Sequence, residues 1–75
     1  MKVSLVKKDG RWFIKRWLFG FIPMYWVNYY NDWEFSRSEV SEDAGLQIIQ
    51  QWAEEAREKA EFKAAKEETI TTIYR

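Results

Sequence analysis

An α+β fold is predicted for this chain: an antiparallel three- to four-stranded β-meander followed by one long α-helix and a short C-terminal strand. Three observations predict it. The first half alternates with the period of a strand around an Asp9-Gly10 turn dipeptide, and it holds eleven of the fourteen aromatic side chains. From Ser41 the apolar spacing changes to that of a helix. The last residues before the terminus, Thr69-Ile-Thr-Thr-Ile-Tyr74, are β-branched and poor helix formers. Seventy-five residues make a single domain, 1–75, divided into an aromatic β-meander (1–35), a helix (36–68) and a C-terminal strand (69–75).

The elements follow in order. Residues 2–7 (Lys-Val-Ser-Leu-Val-Lys) alternate, and residues 11–19 are dense in Trp, Phe and Ile. Asp9-Gly10 between them supplies both positive-φ positions of a type I′ turn, so these strands are expected to be antiparallel neighbours. Gly20 and Pro23 break the second strand, and residues 24–30 read as a third. Asn31-Asp32 is a second turn signal, after which Trp33-Glu-Phe35 is a fourth short strand or an extended approach to the helix.

A two-residue turn at Asp9-Gly10 sets Lys8 opposite Arg11, Lys7 opposite Trp12, Val6 opposite Phe13, Leu5 opposite Ile14, Ser4 opposite Lys15 and Val3 opposite Arg16. One face then carries Val3, Leu5, Trp12, Ile14 and Leu18, an apolar set suited to a core. The other carries Lys2, Ser4, Val6, Lys8, Arg11, Phe13, Lys15, Trp17 and Phe19, which mixes cations with rings.

Helical spacing runs over residues 41–66, where Leu46, Trp52, Ala53, Ala56, Ala60 and Ala64 fall within about 60° of Ile49 on a helical wheel. Val40 would point away from that stripe if the helix began at Arg37. A separate turn is therefore expected first, with Ser41 as N-cap and Glu42 and Asp43 on the dipole. The core is expected to join Val3, Leu5, Trp12 and Ile14 to Leu46, Ile49, Trp52 and Ala56. A helix of that length is about 38 Å long against about 23 Å for a seven-residue strand, so it overhangs the sheet. Ile48 and Phe62 lie on its flank as candidate homodimer contacts. The final strand returns to the sheet edge or pairs with another subunit.

Composition narrows the chemistry. There is no Cys or His, which removes thiolate and imidazole nucleophiles, bases and metal ligands. The carboxylate groups Glu39, Glu42, Asp43 and Glu54, Glu55, Glu58 are explained by a helix dipole and a solvated helix face. The isolated glycines form no phosphate cradle. The expectation is a protein that is not an enzyme and has no cofactor or metal. Absence of Cys fits a reducing cytoplasm, and no secretory leader is expected because Met1 precedes a charged alternating strand. The longest uncharged run, residues 17–31, is interrupted by Gly20 and Pro23 and is too short for a membrane-spanning helix. Net charge is zero, yet the first half is basic and the second acidic, so electrostatic steering is confined to one face.

A sheet needs one face for its core, and aromatic groups on the other mark a working surface. The candidate binding residues are Arg11, Phe13, Lys15, Trp17, Phe19, Phe21, Tyr25 and Tyr29, of which Trp17, Phe19, Phe21, Tyr25 and Tyr29, with Tyr30, are expected to form a patch around the Gly20 to Pro23 loop. Trp, Tyr and Arg dominate protein interfaces, which favours a protein partner. Rings interleaved with Lys2, Lys8, Arg11 and Lys15 also suit single-stranded nucleic acid, where bases stack and cations meet phosphates. Membrane-surface binding ranks below both, since a β-pattern broken by Gly and Pro has no helical moment.

The run Val6-Lys-Lys-Asp-Gly-Arg-Trp-Phe-Ile-Lys-Arg16, the aromatic strand after it, Trp33-Glu-Phe-Ser36 and the Ala/Glu-rich helix resemble the short accessory proteins of tailed bacteriophages. The resemblance covers most of the chain and names no site residue. It implies a non-enzymatic protein that binds a host protein, such as a defence or nucleic-acid-processing enzyme, to inhibit or redirect it in the host cytoplasm.

Overall fold

The structure, a computed structural model, describes residues 2–62 and 68–74. Its elements are β1 (Lys2–Lys8), β2 (Arg11–Leu18), β3 (Ile22–Val27), β4 (Asp32–Glu34), α1 (Glu42–Glu55) and β5 (Thr69–Tyr74). The strands form one antiparallel sheet in the order β4-β3-β2-β1-β5. This is the expected α+β architecture, with the last strand returned to its own sheet beside β1.

The first hairpin has the register that its turn dictates, from Lys8 opposite Arg11 to Val3 opposite Arg16. Asp9 and Gly10 take φ of 53° and 75°. The second turn repeats that backbone with φ of 55° at Phe19 and 83° at Gly20, and the Phe21 N–H donates to the Leu18 carbonyl at 3.3 Å. β3 starts and ends earlier than its sequence suggests. Pro23 lies inside it, opposite Trp17, because β4 reaches only Tyr25 to Val27. At Pro23 the strand has one neighbour, an edge-type position where a missing N–H is tolerated. Tyr29 and Tyr30 belong to the next turn, closed by the Tyr30 N–H on the Val27 carbonyl and by Asn31 at φ 53°.

Ser41 caps α1, its hydroxyl accepting from the Ala44 N–H at 3.2 Å. The preceding residues are not helical. Val40 instead makes an isolated bridge to Trp12, its N–H donating to the Trp12 carbonyl at 2.8 Å, and buries its side chain. The helix then crosses the sheet at close range over Gly45, where a Cβ would stand 2.9 Å from Leu5 Cδ1.

The helix ends at Glu55, well short of the expected residue 66. Arg57 adopts φ 55°, its N–H donates to the Glu54 carbonyl, and the Glu58 N–H donates to the Ala53 carbonyl at 2.7 Å. This is a Schellman closure. Topology explains why the helix must stop. The Lys7 N–H meets the Glu68 carbonyl and Val6 pairs with Thr69, so β5 begins at the end of the sheet where α1 starts. A helix continued to residue 66 would leave three residues, about 10 Å of chain, to span back about 38 Å. The observed helix of 14 residues is about 21 Å long and does not overhang the sheet. Ala64 and Lys66 lie outside the described residues.

Arg57 occupies a conformation that costs a residue with a Cβ roughly 1–2 kcal/mol. Arg57→Gly is therefore expected to raise stability by about 1 kcal/mol, seen as a higher urea midpoint with unchanged helical circular dichroism. An unchanged or lower midpoint would mean that the arginine side chain itself holds the turn.

The core joins Val3, Leu5, Trp12 and Ile14 to Val40, Ile49, Trp52, Ala53, Ile70 and Ile73. A bulge in β5 opposite Leu5 and Val6 inserts Ile70 as an extra residue and lets it reach this core alongside Ile73. Two expected members differ. Leu46 is only half-buried, and Ala56 is exposed because it lies at the C-cap, beyond the last helical turn on the sheet. Leu18, on the same sheet face, is also half-buried.

Candidate functional site

The strand register puts Lys2, Ser4, Val6, Lys8, Arg11, Phe13, Lys15 and Trp17 on the face opposite α1. Pairing of Lys15 with Tyr25 and of Trp17 with Pro23 extends that face onto β3. Its centre is not open. Phe13 is 4% exposed and Tyr25 9%, and their rings meet edge to face at 5.9 Å next to buried Val6.

Long cationic side chains cover these rings. The Arg37 guanidinium lies 5.2 Å from the Phe13 ring centroid, and Lys15 Nζ lies 4.8 Å from Trp17 and 5.5 Å from Tyr25. Lys and Arg stems shield apolar surface while their charges stay near water. The alternation of cations and rings is thus largely satisfied within the molecule. Arg11 stays exposed at the hairpin end, and a shallow concavity of about 190 Å³ opens among Lys2, Lys15, Trp17 and Thr72.

The other candidate rings fall into separate places. Trp17 lies on the outer face beside the β2–β3 turn that carries Phe19 and Phe21, which are 81% and 70% exposed. Tyr29 and Tyr30 are exposed at the β3–β4 turn, at the far end of β3, and stack edge to face on each other at 5.0 Å. The expected patch is therefore split by the length of β3, with Tyr25 between its two ends buried.

Ile48 and Phe62 do not share a helix flank. Ile48 packs against the core, whereas Phe62 follows the end of α1 and lies beside Gln50 and Ala53 where the chain turns back.

A cluster that no local sequence pattern announces sits at the α1 side of the sheet. Trp26, Trp33 and Trp52 meet with ring centroids 5.0–5.9 Å apart, and the Arg16 guanidinium stands 4.7 Å from the Trp33 ring. Its one clue in the sequence is a charge. Arg16 falls between Ile14 and Leu18 on the core face, a cation where alternation calls for an apolar residue.

Among the described residues no group of three or more acidic side chains is arranged to hold a metal ion, and no helix is long and apolar enough to cross a membrane. No protein-family model, curated protein or solved structure matches the chain.

Proposed function

We propose that this chain is a non-enzymatic protein-binding module whose principal contact is the aromatic end of the sheet, Trp17, Phe19 and Phe21. Phe19 carries the reading. The chain builds the same positive-φ backbone twice, and at the first turn it uses Asp9, a residue suited to it. At the second it places phenylalanine, a bulky residue rare at φ 55°, and exposes nearly all of the ring. Such a conformation costs on the order of 1–3 kcal/mol. Neither the turn nor the core needs that ring, whereas a partner pocket would.

The proposed partner is a host protein that is inhibited or redirected in the host cytoplasm, and this part rests on the resemblance to tailed-phage accessory proteins. A second copy of the chain is the other protein partner proposed, through exposed Phe62 and the outer edge of β5. The rival reading is single-stranded nucleic acid along Lys2, Lys8, Arg11, Lys15 and Trp17. It is disfavoured by the burial of Phe13 and Tyr25, which removes two stacking platforms.

Phe19→Asn tests the proposal, since asparagine tolerates positive φ. Tagged wild-type protein is expected to retain one stoichiometric partner from host lysate across a salt series, and Phe19→Asn to lose it with stability equal or higher. Oligonucleotide binding that falls log-linearly with salt, with protein capture unaffected by Phe19→Asn, would reverse the assignment.

A further inference from the structure

We propose that the pocket between the sheet and the C-terminal half of α1 is a binding site for a monocarboxylate carried on a flat apolar body. It is separate from the aromatic end of the sheet and does not depend on the role given to that end. The cavity measures about 470 Å³, within the range of small-molecule sites, about 300–1,000 Å³. Val3, Trp26, Trp33 and Trp52 give it apolar walls, Arg16 comes from β2, Asn31 from the β3–β4 turn and Asp32 from the start of β4.

Two buried donors in this wall have no acceptor. Arg16 Nε and Trp26 Nε1 are both shielded from solvent without a hydrogen-bond partner. The guanidinium donates from Nη2 to the Met24 thioether at 3.8 Å, and sulfur accepts weakly. Asp32 is turned to its own backbone neighbourhood, Oδ1 accepting from the Trp33 N–H at 2.8 Å. Buried donors in folded proteins are nearly always paired. Arg16 and Trp26 both line the cavity, with these two donors shielded in its wall, so a shift of either side chain on binding would offer them to an oxygen acceptor brought from outside.

The surroundings select its class. A cationic ligand would meet Arg16, which already occupies the Trp33 face. A phosphate dianion would bring two charges to a single guanidinium with the Asp32 carboxylate also in the lining. One carboxylate matches one guanidinium, and its two oxygens fit the fork geometry. The cavity is several times larger than a carboxylate, and the remaining space is walled by indoles and Val3, which prefer edge-to-face contact with an aromatic body. A free aromatic acid and the C-terminal carboxylate of a peptide ending in an aromatic residue share this chemistry.

The probes are 2-naphthoate, its neutral isostere 2-naphthamide, and the peptide Gly-Gly-Trp with a free or an amidated C-terminus. Each is titrated into the full chain by calorimetry and by NMR of the indole N–H signals, with the Trp26 signal assigned as the one lost in Trp26→Phe. The acid of each pair is expected to bind at least tenfold more tightly than its amide and to move the Trp26 N–H signal. The tighter acid identifies the source. Arg16→Met is expected to remove that tenfold preference, weakening the acid far more than the amide. If Arg16→Met fails to fold, Arg16→Lys, which keeps charge and loses the fork, is expected to weaken the acid severalfold. Equal affinity of acid and amide for the wild-type chain, no binding of either acid at millimolar concentration, or an acid preference that survives loss of the guanidinium would each overturn the site.

Discussion

Ile49→Ala is expected to lower the unfolding free energy by about 2–5 kcal/mol, the range for truncating a buried Ile or Leu. Ile49 is fully buried at the centre of α1, in one core cluster with Leu5, Ile14 and Ile73. A domain of this length has a total stability of roughly 4–11 kcal/mol, so the variant sits near the edge of folding at room temperature. Equilibrium urea unfolding followed at 222 nm checks it, with a large fall in midpoint and an unchanged slope as the expected result. Ala56, one of the small residues on the same helical stripe, is exposed, and Ala56→Glu is expected to fall within about 0.5 kcal/mol of wild type. A small effect at Ile49 would mean that α1 lies on the sheet in another phase, and a large one at Ala56 would mean that the helix runs on across the sheet past Glu55.

Phe13→Ala carries the second large effect, a loss of about 3 kcal/mol or more, although Phe13 lies on the face away from the helix. Its ring is enclosed by Val6, Tyr25 and the Arg37 guanidinium, so removing it opens a cavity under a thin cover. The same urea experiment reads it. Phe19→Asn is the natural comparison, since both remove a phenylalanine from the β2 region and only Phe13 is expected to cost stability. A Phe13→Ala protein as stable as wild type would show that the outer face is solvated and would return Phe13 and Tyr25 to the set of rings free to meet a partner.

The first hairpin was legible residue by residue, because a two-residue turn fixes a register and the period of two then assigns each side chain to a face. The Ser41 cap and the β-branched last strand were legible for the same kind of reason, a conformational preference held by a few neighbouring residues. The candidate site was legible only as a composition. Phe19, Phe21 and Trp17 do gather at one turn, but Tyr29 and Tyr30 lie at the other end of β3, because the strand runs from Ile22 to Val27 and not over residues 24–30 as its pattern suggests. The Trp26, Trp33 and Trp52 cluster joins residues from two strands and the helix, and no local pattern announces it. Arg16 was the one clue, a charge in a core-facing position.

By itself the sequence determined the α+β class, the strand partners of the first hairpin, the outward and inward sets of β1 and β2, and the start of the helix. Turn dihedrals, capping and side-chain alternation depend on adjacent residues, and adjacent residues are what a sequence displays. Only the tertiary structure decided where the helix ends, which outer-face rings are buried and which cavity Arg16 lines. Arg57 takes a left-handed turn that its side chain does not favour because the chain has to travel back to Lys7 and pair as β5. Phe13 is buried because Arg37, brought near by the Val40 bridge to Trp12, lies across it. Both outcomes are set by chain closure between residues distant in sequence, and the free energy of that closure is a property of the whole fold rather than of any segment within it.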